Sequence, residues 1–140
     1  MIARSFLDTN VLVYAAAGRG ADESKRLRAL ELIMSEEFGL SAQVLQEFYV
    51  TVTRKLRSPL SPETAIEWIE QLDAFPQVPI DASLVKVAIE NSVRYRISYW
   101  DAAIVAAAER LGARTLYSED LSDGQMYGSV TVLNPFVDTA

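Results

Sequence analysis

The sequence predicts a three-layer α/β/α sandwich built on a mainly parallel central sheet. Short apolar runs alternate with amphipathic stretches of helical period along the whole chain. Serine, aspartate, proline and glycine fall at the boundaries between these segments, where caps and turns need them. The chain has 140 residues, half of them hydrophobic, which suits one compact core, so residues 1–140 are expected to form a single domain. Parallel strands need crossover helices, and right-handed crossovers lay those helices over both faces of the sheet.

The first expected element is a strand over residues 2–7, followed by Asp8-Thr9-Asn10 and a short helix over 11–17 that ends at Gly18-Arg19-Gly20. Asp22 is a candidate cap for a helix over 23–34, with Leu27, Leu30, Ile33 and Met34 on one inward side. Phe38-Gly39-Leu40 is a minimal strand. Ser41 caps a longer helix reaching about residue 56, in which Val44, Phe48, Val52 and Leu56 recur every four residues as the buried stripe, and Ser58-Pro59 stops it. Ser61-Pro62 opens the next helix with a cap and a first-turn proline, turning Ala65, Ile66, Ile69 and Leu72 inward. Residues 75–80 return as a strand and Asp81 caps another helix. Ser98 then opens an alanine-rich helix over 100–111 that Gly112 ends, and strands over 114–117 and 130–133 complete the set.

Composition narrows the chemistry. With no cysteine there are no disulfides, thiolate nucleophiles or cysteine-ligated metals, as a reducing cytosol favours. With no histidine the usual general base, the Ser-His-Asp triad and the imidazole ligand are gone too, so hydrolytic chemistry must rest on carboxylates, hydroxyls or Lys/Arg. The N-terminus has no apolar stretch long enough for a signal peptide, and no run approaches a membrane span, so a soluble cytoplasmic protein is expected. The net charge of −6 opposes coating phosphates with lysine, an objection that eases where acids hold divalent cations.

Open parallel sheets place their sites beyond the C-terminal ends of the strands. Asp8 follows the first strand directly, and Asp120 and Asp123 follow the strand ending near Tyr117, so all three belong to one edge. Glu47 lies in the second turn of the helix after the second strand, one step from the Val44/Phe48 stripe. Asp101 lies in the first turn of the alanine-rich helix among Tyr99, Trp100 and Ala102. Each has a structural reading when taken singly: Asp8 as a helix cap, Asp101 with Ser98 as a capping box, Glu47 as an interfacial acid, Asp120 and Asp123 as turn formers. Capping does not explain their joint arrival at one edge.

Two like charges about 4 Å apart repel by roughly 4 kcal/mol at an effective dielectric of 20. No Lys or Arg lies within residues 5–14 or 99–108 to offset this, so the acids at 8, 47, 101 and 120 are expected to share a hard divalent cation, magnesium or manganese. Such an ion lowers the pKa of a bound water, orients it for in-line attack on a phosphodiester and stabilises the leaving oxygen.

At these residues the chain resembles the PIN-domain family, and within it the VapC-like toxins of toxin–antitoxin pairs. The resemblance spans nearly the whole chain and rests on Asp8-Thr9-Asn10, Gln46-Glu47-Phe48, Tyr99-Trp100-Asp101-Ala102 and Ser118-Glu119-Asp120, in the family's order. It implies a magnesium- or manganese-dependent endoribonuclease acting on single-stranded or looped RNA, commonly a homodimer, inhibited by a cognate antitoxin. By the same resemblance Asp8, Glu47, Asp101 and Asp120 are metal ligands or water positioners, Asp123 is a helper, and Asn10 and Ser118 orient the ligands.

Arg54, Lys55 and Arg57, and Arg94 and Arg96, are the clustered cations available to phosphates, and equally are helix ends favoured by the macrodipole. Tyr14, Tyr49, Tyr99 and Trp100 lie beside the proposed ligands and are candidates for stacking on splayed bases, whereas Trp68 is expected in core or interface. One rival is a phosphatase of the haloacid-dehalogenase type, which needs a second aspartate where this chain has Asn10. The other is a non-catalytic module of the same fold, which predicts a missing ligand where none is missing.

Overall fold

A computed structural model describes residues 3–137. Among them, six strands form one sheet in the order β3-β2-β1-β4-β6-β5. Strands β1 (Ser5–Leu7), β2 (Phe38–Ser41), β3 (Gln77–Val78), β4 (Thr115–Tyr117) and β6 (Val130–Leu133) pair in parallel, and β5 (Met126–Tyr127) adds an antiparallel hairpin at one edge. Helices flank this sheet: α1 (Thr9–Ala17), α2 (Glu23–Ser35), α3 (Ala42–Val50), α4 (Pro62–Gln71), α5 (Ala82–Tyr95) and α6 (Tyr99–Arg110). Helix α1 packs on α2 and α3, α3 also on α4, while α5 and α6 pack on each other and α6 lies over β2, β4 and β6. Phe6 and Leu7 of β1, Leu40 of β2, Leu116 of β4 and Val132 of β6 are fully buried, so the core lies on the sheet itself. Among the described residues no helix is long and apolar enough to cross a membrane.

Most boundaries follow from short-range chemistry. The side chains of Ser41, Ser61, Asp81 and Ser98 accept hydrogen bonds from the backbone N–H three residues on, as N-caps do. The stripe Val44, Phe48 and Val52 is completely buried, and beyond Val50 the helix continues as a wider π-helical turn, Thr51–Lys55. Arg96 closes α5 in the left-handed conformation (φ 55°), and the chain turns there into α6, which starts at Tyr99.

Several expectations need correction. Strand β1 starts at Ser5, and Ile2 lies outside the described residues. The expected strand over 75–80 contracts to Gln77–Val78, because Pro76 and Pro79 on either side have no N–H to give to the ladder. Strand β5 was not anticipated, since two residues carry no periodicity. Asp22 stands at the start of α2 without a side-chain cap bond. Helix α2 buries Ala29 and Leu32, leaving Leu27 and Met34 exposed, and Ile66 of α4 is likewise exposed. Small residues let α1 and α2 meet closely: a Cβ at Gly18 would lie 2.9 Å from Arg26 Cβ and 2.8 Å from the Tyr14 carbonyl. Trp68 packs against the core.

Candidate active site

The register of β1 against β4 builds the centre of the site. Leu7 pairs with Tyr117, so the residues immediately beyond them, Asp8 and Ser118, emerge side by side although 110 positions apart in the chain. The Asp8 N–H donates to the Tyr117 carbonyl at 3.0 Å, and the Ser118 hydroxyl donates to Asp8 Oδ2 at 2.7 Å. Asp8 Oδ1 accepts from the Thr9 N–H at 2.7 Å, so Asp8 is also the N-cap of α1. Both expected roles, cap and site acid, therefore meet in one carboxylate that is only 4% exposed. Burial pushes its pKa up to about 6, Asp120 and Glu47 add repulsion, and the Ser118 and Thr9 hydrogen bonds oppose the shift.

Ser118 also accepts from the Asp120 N–H at 3.1 Å, and Asn10 Nδ2 donates to Asp120 Oδ2 at 3.1 Å. Asn10 Oδ1 accepts from the Glu119 N–H at 3.4 Å, so one amide reads the turn twice. Glu47 is held by two residues that the sequence reading passed over. The Thr9 hydroxyl donates to Glu47 Oε1 at 2.8 Å, and Gln43 Nε2 approaches Oε2 at 3.3 Å while donating to the Trp100 carbonyl at 3.1 Å. The i, i+4 spacing of Gln43 and Glu47 on one helix was the available signal. Asp101 lies where expected, in the first turn of α6, with its N–H donating to the Ser98 hydroxyl at 3.0 Å. Burial raises the Asp101 pKa, Ser98 opposes the rise and Asp120 adds to it.

Asp8, Glu47, Asp101 and Asp120 all line one cleft of about 640 Å³, together with Asn10, Tyr14, Trp100 and Lys55. Asp123 does not: its Oδ1 accepts from the Asn134 N–H at 2.8 Å, and it borders a separate cavity beside Arg28. Lys55 is the one Lys or Arg in the cleft lining, while Arg54, Arg57, Arg94 and Arg96 lie outside it. Of the expected aromatics, Tyr14 and the exposed Trp100 face the cleft, Tyr99 stacks edge-on against Trp100, and Tyr49 packs against the core.

The donor set suits a hard cation, being the four expected carboxylates and Asp22, which also lines the cleft, with no imidazole or thiolate. Among the described residues none of the expected four is in an ion pair, so the buried Asp8 has no cationic partner. The expected closeness needs correction, however. Among the described residues no three acids stand near enough to hold one ion, so the convergence is to one cleft rather than to one point. Like-charge repulsion and the separate hydrogen bonds of Asp8, Glu47 and Asp120 account for the spread.

A mainly parallel α/β sandwich with four acids around a cleft at the C-terminal edge of its strands defines an open-sheet protein with its site at the usual edge. The PIN domain model matches residues 5–122, and the chain belongs to the PIN-domain family. Solved structures share the fold. Mycobacterium tuberculosis VapC20, described as a Sarcin-Ricin loop cleaving toxin, is similar at 22% identity and TM-score 0.66, covering 83% of this chain and 89% of that one. A toxin–antitoxin complex from Klebsiella pneumoniae matches at 17% identity and TM-score 0.70, with 94% and 97% covered. VapBC2 from Rickettsia felis, bound to a promoter DNA fragment, matches at 18% identity and TM-score 0.60, with 94% and 97% covered. Comparison with curated protein sequences returns no match.

Proposed function

We propose that this protein is a metal-dependent endoribonuclease and the cytoplasmic toxin of a toxin–antitoxin pair, acting as a homodimer and restrained by a cognate antitoxin. The reading rests on one observation: four acids from four separate elements line a single cleft of a PIN fold without any ion pair among the described residues. Neither rival is favoured, since Asn10 holds Asp120 where a phosphatase would need its second aspartate, and every acid of the family pattern is present.

Asp8, Glu47, Asp101 and Asp120 would hold magnesium or manganese only by drawing closer than they stand without it, and the ion would supply activation of water and charge neutralisation at a phosphodiester. The chain's own residues prepare that site. Ser118 and the Thr9 N–H fix the two oxygens of Asp8, Thr9 and Gln43 fix Glu47, and Asn10 fixes Asp120. Oriented partners of this kind hold donors in place before a ligand arrives. The exposed Trp100 offers an aromatic face on which an unpaired base stacks, favouring single-stranded or looped RNA.

Incubation of the purified protein with end-labelled single-stranded RNA and Mg²⁺ or Mn²⁺ tests the proposal: internal cleavage is expected, and intact RNA at protein excess would overturn it. Lys55, the one cation in the cleft lining, is expected to contact a phosphate. In an Asp101→Asn background that binds without cleaving, Lys55→Ala should lower the slope of log Kd against log salt by about 0.7, the share of one phosphate on a single strand. An unchanged slope would take Lys55 out of the RNA path.

A further inference from the structure

The turn after β4 carries its side chains in two directions. Ser118 and Asp120 bond to Asp8 and Asn10 at the cleft, whereas Glu119, between them, is anchored to α1 and α2. Glu119 Oε1 accepts from the Tyr14 hydroxyl at 2.5 Å, and Oε2 accepts from Lys25 Nζ at 3.1 Å. Lys25 also donates to the Tyr14 hydroxyl at 3.3 Å, and its ammonium lies 4.9 Å from the Tyr14 ring centroid and 5.8 Å from that of Phe136. The Tyr14 and Phe136 rings meet edge to face at 5.0 Å. The close passage of α2 over Gly18 puts Lys25 within reach of Tyr14 one helix away.

We infer that Lys25 and Glu119 are positioning residues that hold the turn bearing Asp120 in the acidic cleft; the inference rests on the nuclease reading above. Asp120 is exposed and repelled by Asp8 and Asp101, so beyond its bonds to Asn10 and Ser118 its place depends on what restrains the turn. Charge-assisted hydrogen bonds from two helices to the preceding side chain provide that restraint from outside the cleft, whose lining includes neither Lys25 nor Glu119. A partly exposed ion pair adds little to global stability, so its effect belongs to geometry.

The test compares Lys25→Met, Glu119→Gln and Lys25→Arg in the full chain. With positioning lost, kcat for RNA cleavage should fall by about tenfold or more, with KM changed less than about twofold, since small displacements of reacting groups carry penalties of this size. Lys25→Arg should restore most of kcat. A readout independent of cleavage is the rise in thermal midpoint on adding Mn²⁺ alone, which should shrink in Lys25→Met and Glu119→Gln and return in Lys25→Arg. Unchanged kcat and an unchanged Mn²⁺ response in folded variants would overturn the inference, as would a loss of global stability that Lys25→Arg fails to repair. If the unaltered protein responds to Mn²⁺ but cleaves no RNA, the nuclease reading fails while the Mn²⁺ comparison still decides the role of Lys25. A protein showing neither response overturns both.

Discussion

Asp8→Asn is expected to lower RNA cleavage by about 10²–10³-fold, the scale on which enzymes lose rate when a preorganised group at the reacting centre is removed. The same substitution is expected to make the metal-free protein at least as stable at pH 7. Asp8 is buried, its pKa is pushed up to about 6, and no cation offsets its charge among the described residues. An unfolded aspartate titrates near 3.9, so between about pH 4 and pH 6 the folded chain holds a proton that the unfolded chain has released. The stability contributed by this group is therefore full below about pH 4 and is lost as pH rises to about 6. The difference of about two pH units corresponds to at most roughly 3 kcal/mol. Thermal melts of metal-free protein from pH 5 to 7.5 should show the midpoint falling as pH rises, and Asp8→Asn should flatten that limb. A variant that instead melts many degrees lower at pH 7 would make Asp8 chiefly the cap of α1 and the acceptor for Ser118.

Excess chelator is expected to abolish cleavage altogether, and added Mg²⁺ or Mn²⁺ to restore it. No histidine exists in this chain to serve as base, and no Lys or Arg other than Lys55 lines the cleft. Against five carboxylates and one lysine, a phosphodiester meets repulsion unless a divalent ion reverses the local charge. A bound ion also stabilises the fold by mass action, by about 2.7 kcal/mol at a hundred times its dissociation constant, so the thermal midpoint should climb with ion concentration. Because the ion must displace the proton on Asp8, that climb should weaken as pH drops below about 6. Cleavage undiminished in chelator would end the metal mechanism, whatever the geometry of the cleft.

The family assignment bears out what short motifs implied, and the four acids they named line one cleft without meeting at one point, yet the two levels of information differ in kind. Ser41, Ser61, Asp81 and Ser98 cap helices through bonds that span three residues, and the Val44, Phe48 and Val52 stripe repeats within one helix. Signals of that range are complete within the chain segment that carries them, which is why the order of strands and helices was legible. The faces of α2 were legible only in part: Leu30 and Ile33 pack against the core as expected, but Leu27 and Met34 are exposed, and Ala29 and Leu32 are buried where α1 comes close at Gly18. Asp120 and Asp123 read alike as turn acids and only the family resemblance ranks them, as ligand and helper; in the folded chain Asn10 bonds Asp120 at the cleft while the Asn134 N–H bonds Asp123 away from it.

Capping, periodicity and the ordered acid motifs were thus determined by local sequence, because their energetics close within a few residues. The pairing of Leu7 with Tyr117, the anchoring of Glu47 by Thr9 and of Glu119 by Lys25, and the spread of the acids around the cleft were decided only by the folded chain. Those contacts join residues 38 to 110 positions apart, and hydrogen bonds of that reach acquire their partners only once packing has brought the elements together.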